Sequence, residues 1–81
     1  PMNLERNDSL SFRVFPNPTT DFIYIETELV EYDLQIFDVS GKEIINQKNK
    51  SKIDIRRLAM GTYFIKISSE SKLGTSIFIK K

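Results

Sequence analysis

The 81-residue chain is 40% hydrophobic and 28% charged, with a formal net charge of +1. That suits one soluble globular domain and is too apolar for a disordered chain. With no Cys there is no disulfide or thiolate metal site, and with no His the commonest general base near neutral pH and the commonest metal ligand are missing.

No apolar run approaches the roughly 18–20 residues that cross a bilayer, so no membrane insertion is expected. Pro1 to Asp8 are mostly polar and hold no apolar signal region. Residues 1–9 therefore read as a linker remnant from a parent protein, and 10–81 as the domain. Charge divides unevenly: residues 1–41 hold 2 basic and 8 acidic side chains, residues 42–81 hold 10 and 3. The basic residues are spread out, so acidic and basic strands are expected to lie close and offset each other, and no nucleic acid is expected as a partner.

Ser11 to Phe15 alternates and stops at Pro16-Asn17-Pro18, where two prolines forbid a central strand. Thr19-Thr20-Asp21 is turn-like, and Phe22 to Ile25 reads as a second strand. Tyr32 to Asp38 alternates as a third. Val39 to Lys42 is a tight turn in which Gly41 supplies positive φ. Glu43 to Gln47 is the fourth strand and Lys52 to Ile55 a short fifth. Arg56 to Gly61 forms a corner, with Leu58 dropping toward the core and Gly61 turning the backbone. Thr62 to Ile67 is the sixth strand, Ser68 to Gly74 a turn, and Thr75 to Lys80 the seventh. No stretch of ten residues carries a helical period. Seven short strands at 8–12-residue spacing predict an all-β, Ig-like antiparallel sandwich.

No catalytic constellation is present: no Gly-x-Ser-x-Gly, no phosphate loop, and three glycines that each fit a turn. No catalytic residue, cofactor or metal site is expected. Asp21, Glu26, Glu28, Glu31, Asp33 and Asp38 offer hard oxygen ligands, but no Asp-x-Asp-x-Asp loop gathers them, so they read as a solvated face. Asp33 and Asp38, five apart on one predicted strand, would point to opposite faces.

The strands hold two apolar sets. Ile23 and Ile25, Leu34 and Ile36, Ile65 and Ile67, and Ile77 and Ile79 form one; Phe22, Tyr24, Phe37, Phe64 and Phe78 form the other. If the first set fills the core, the aromatics face outward, either covered by loops and cross-strand pairing or left as a patch that meets a partner.

Four segments in order resemble a known family. Phe15-Pro16-Asn17-Pro18 with Thr19-Thr20-Asp21 and Ile23-x-Ile25 is similar to the opening of type IX secretion C-terminal sorting domains. Ile36 to Ile44, around Gly41, resembles the family's strand–Gly–strand middle. Ile53-Asp54-Ile55-x-x-Leu58-x-x-Gly61-x-Tyr63-x-Ile65-x-Ile67 resembles its Leu-x-x-Gly-x-Tyr segment, and Ile77 to Lys81 its apolar–basic end. Arg56 departs from the small or polar residue common at that corner. The resemblance implies an Ig-like sandwich that serves as a non-catalytic address. It implies an upstream cargo domain, transit through the periplasm, the type IX translocon and a surface sortase-like peptidase as partners, and delivery to the cell surface or outside. An Ig-like or fibronectin-like adhesive or carbohydrate-binding module is the alternative.

Within this frame Pro16, Asn17, Pro18, Gly41 and Gly61 are expected to shape turns, and Leu58 and Tyr63 to pack, with the Tyr63 hydroxyl bonded to a backbone group. The C-terminal strand is expected to present an uncovered edge, with Phe78 pointing away from Ile77 and Ile79. Phe78, Lys80 and Lys81 are the candidate recognition residues.

Overall fold

A computed structural model of the chain describes residues 11–70 and 72–81. The expected linker 1–9 and the domain's first residue, 10, lie outside these. Among the described residues, alternation of apolar and polar residues resolves into seven strands: β1 (Arg13–Phe15), β2 (Phe22–Glu26), β3 (Asp33–Phe37), β4 (Glu43–Lys48), β5 (Lys52–Asp54), β6 (Gly61–Ser69) and β7 (Lys72–Lys80). They form a three-stranded sheet, β1-β2-β5, and a four-stranded sheet, β4-β3-β6-β7, with all strand pairs antiparallel. The two sheets pack around one core as a sandwich.

The aliphatic set fills that core in β2, β3 and β6. Ile23, Ile25, Leu34, Ile36, Ile65 and Ile67 are all buried, and register sets Ile36 opposite Ile65 and Leu34 opposite Ile67. Ile53 and Ile55 add to it from the β5 segment.

In β7 the expectation is reversed. Phe78 is fully buried, while Ile77 and Ile79 are 48% and 44% exposed. Register is the cause: Phe78 lies opposite Tyr63, whose side chain points inward, and the two rings stack with centroids 5.5 Å apart. Alternation defines two faces but not which one is inside, and a one-residue change of register exchanges them. The hairpin is also longer than expected. Gly74 is not a turn residue; it lies within β7 opposite Ile67.

The turn at Gly41 and the corner before Gly61 lie where the sequence places them. Gly41 has φ +88°. The Asp38 carboxylate accepts hydrogen bonds from the N–H groups of Ser40 and Lys42, at 2.9 and 3.1 Å. Asp38 thus belongs to the turn after β3 and not, as expected, to the strand with Asp33. At the corner before β6, the Leu58 N–H donates to the Ile55 carbonyl at 3.0 Å, and Leu58 packs against the core. Gly61 opens β6 with φ +149°. The Tyr63 hydroxyl donates to the Ala59 carbonyl at 2.7 Å, the tyrosine corner of Ig-like sandwiches.

Candidate recognition surface

With the aliphatic set inside, the remaining large side chains of the strands stand on the two outer faces. On the three-stranded sheet Phe15 and Tyr24 lie opposite each other and stack at 5.8 Å. Three cations cover this row. The Arg13 guanidinium lies 5.0 Å from the Phe15 ring centre, Lys52 lies 4.5 Å from that of Phe22, and Arg56 lies 5.1 Å from that of Phe22. Glu26 holds Arg13 at 2.8 Å and Asp54 holds Arg56 at 2.7 Å. The Asp54 carboxyl is lowered to about 2, chiefly by the side-chain hydrogen bond from Arg56 and then by that residue's N–H. Arg56, the residue at which the corner departs from the usual pattern, is therefore part of this cover.

The outer face of the four-stranded sheet is different. Phe37, Phe64, Leu73, Ile77 and Ile79 stand on it, with Phe64 45% exposed, as open as Ile77 and Ile79. Phe37, Phe64, Lys66, Thr75 and Ile77 line a groove of about 440 Å³. Its cation is Lys66, with Nζ 5.9 Å from the Phe37 ring centre. No carboxylate lines it. Of the aromatics expected to face outward, Phe22, Tyr24, Phe37 and Phe64 do so and Phe78 does not; cations lie over the rings of Phe15 and Tyr24, which are still 38% and 37% exposed, while Phe64 is 45% exposed.

The C-terminal edge is partly closed, contrary to expectation. The Asn17 side chain acts as a surrogate backbone unit: Oδ1 accepts from the Ile79 N–H at 2.9 Å and Nδ2 donates to the Ile77 carbonyl at 3.3 Å. The Thr19 N–H donates to the Ile79 carbonyl at 2.9 Å, and the Lys81 N–H donates to the Thr19 carbonyl at 2.8 Å. Thr19 is itself buried, its hydroxyl donating to the Phe22 carbonyl at 2.6 Å.

Of the three recognition residues expected from sequence, Phe78 fills the core. Lys80 is 8% exposed, and its ammonium donates to the Leu58 carbonyl at 3.0 Å. Its stem runs along the protein and its charge satisfies the corner, so neither side chain is presented outward. Lys81 is exposed. Pro16, Asn17 and Pro18 form the exposed loop that follows β1. The outward role of Ile77 and Ile79 escaped the sequence because β7's more apolar set is the one facing solvent. The clasp of Asn17 on β7 joins residues 62 positions apart and leaves no local signal.

The acidic side chains are dispersed. Asp33 pairs with Lys48 at 2.5 Å and Glu26 with Arg13. Among the described residues no three acidic side chains gather into a possible metal site.

The family of secretion system C-terminal sorting domains matches residues 13–81. The chain belongs to that family. No curated protein matches the chain. The sorting domain is thus a secretion signal of the type IX system, whose members act with that system's machinery in export to the cell surface or outside.

Proposed function

We propose that this sorting domain is a non-catalytic address read in its folded state, carrying an upstream cargo domain of the same chain from the periplasm across the outer membrane. Residues 1–9 serve as linker to the cargo and 10–81 as the address. A sortase-like peptidase at the surface then removes the address. The observation that supports reading by a partner is the exposed apolar face of Phe64, Ile77 and Ile79 on the four-stranded sheet, with half-buried Phe37 beside them. Such a face on a small domain loses contact with water when a partner docks. Lys81, the exposed residue that follows β7, adds positive charge.

The test is a reporter fused ahead of residue 1 and expressed in a bacterium with the type IX system. Phe64→Ser together with Ile77→Ser removes the apolar face while leaving the buried set intact. Expected is a melting temperature close to the parent's and loss of most reporter secretion. Unchanged secretion would show that this face is not what the machinery reads. A parent reporter that stays in the periplasm would favour the adhesive module instead.

A further inference from the structure

We infer that the uncapped stretch of β7, Leu73 to Ile77, is a docking edge that receives an extended partner segment of apolar–x–acidic–x–apolar pattern as an added strand. This rests on the reading of the domain as a folded address and names the chemistry that reads it.

Among the described residues the two sheets leave four edges, and three are protected. β1 and β5 are three residues each, too short to template a strand. β4 has a register shift against β3 between Ile36 and Phe37 and carries Glu43, Asn46, Gln47 and Lys48. β7 is nine residues long, pairs without a break along β6 and contains no proline; β1, from the other sheet, runs close beside it. Its far end is closed by Asn17 and Thr19.

The direction of the unpaired groups follows from that closure. The Ile77 carbonyl, the Ile79 N–H and carbonyl, and the Lys81 N–H all point away from β6, since they bond Asn17 and Thr19. Backbone groups along an antiparallel strand alternate in direction. Leu73 and Thr75 therefore turn their N–H and C=O outward as well, together with the Ile77 N–H. Among the described residues no hydrogen bond reaches these groups.

Side chains set the pattern of the incoming segment. Leu73, Thr75 and Ile77 share the open outer face, so residues placed opposite Leu73 and Ile77 extend its apolar surface. Lys66 pairs with Thr75 in register and lines the groove without an ion pair among the described residues. A residue added opposite Thr75 lies two strand spacings from Lys66, about 10 Å, within joint reach of a lysine and a carboxylate side chain. The acid therefore belongs at the centre, flanked at alternate positions by apolar residues.

The probe is the synthetic heptapeptide Thr-Val-Thr-Glu-Thr-Val-Thr, with a second peptide carrying Lys in place of Glu. Amide hydrogen exchange of the domain is followed by NMR. Expected is an approximately ten-fold slowing at Leu73, Thr75 and Ile77 with the Glu peptide, and none at the already bonded Ile79. Thr75→Pro removes an outward N–H and should weaken binding about ten-fold or more with an unchanged melting temperature. Should the proline lower the melting temperature, a charge exchange decides: Lys66→Glu is expected to lose the Glu peptide and gain the Lys peptide. Lack of protection, equal protection by both peptides, or protection by self-association without peptide overturns the inference. Reporter secretion separates the two levels. Absent peptide binding with a normally secreted parent reporter defeats strand addition alone, whereas a parent reporter that is not secreted defeats the sorting reading.

Discussion

Tyr63 joins ring packing and a polar tie in one side chain. Its ring stacks on Phe78 and its hydroxyl holds the Ala59 carbonyl at 2.7 Å. Tyr63→Phe keeps the ring and removes the tie, so a stability loss of about 1 kcal/mol is expected by urea denaturation, with secretion of a fused reporter retained. Export lost without a change in stability would instead make the hydroxyl a recognition group. This residue was legible from sequence, since an amphipathic aromatic two residues after Gly61 has a short way back to the corner. Lys80 was not: a terminal lysine looks solvent-bound, and nothing local shows that the Leu58 carbonyl waits for it. Asp54 carries the acid sensitivity of the three-stranded face. Its carboxyl is held at about 2 in the fold by Arg56, against an ordinary 3.8. A lowered folded value means that the contribution is present above the ordinary value and is lost as pH falls through about 2. The fall of melting temperature between about pH 4 and pH 2 should therefore be shallower in Asp54→Asn than in the parent, an effect kept small by exposure of the pair.

Among the elements, β7 departs furthest from its sequence reading. Alternation in β2, β3 and β6 sets aliphatic against aromatic or polar residues and identifies the buried face. In β7 the alternate sets are Leu73, Thr75, Ile77, Ile79 and Gly74, Ser76, Phe78, Lys80, and the less apolar of the two faces the core. The choice is made with β6, through the opposition of Phe78 to Tyr63 and the stacking of their rings. Phe78→Ala should accordingly cost about 3–5 kcal/mol in chemical denaturation, whereas Ile77→Ala should cost well under half of that. An equal cost at the two positions would contradict the register. The Asn17 clasp has its own signature. Asn17→Ala should speed hydrogen exchange at the Ile79 amide by about ten-fold or more while leaving Leu73 unchanged, because only the former donates to the Asn17 side chain.

At the scale of the whole molecule, one apolar layer between two sheets carries the stability, and Ile36 opposite Ile65 is a fully buried pair within it. Ile36→Ala should cost roughly 2–5 kcal/mol, a large share of what a domain of this size holds; a melting temperature within a degree or two of the parent's would be inconsistent with this core. The fold class and nearly all strand positions were legible because they depend on local alternation and turn chemistry. The surfaces were less so, since they depend on which strands become neighbours. The uneven charge of the two halves shows the same limit: Asp33 with Lys48 joins them across β3 and β4, but Arg13 with Glu26 and Arg56 with Asp54 pair within a half. Order of synthesis gives the long-range ties a further meaning. Phe78 on Tyr63, Lys80 on Leu58 and Asn17 on Ile79 all wait for residues 78–80, and the last of these contacts spans 62 positions. A chain still on the ribosome, or broken short of β7, has six strands, an unfilled core opposite Tyr63 and no finished outer face. The outer face of the four-stranded sheet is thus finished only once β7 has been made.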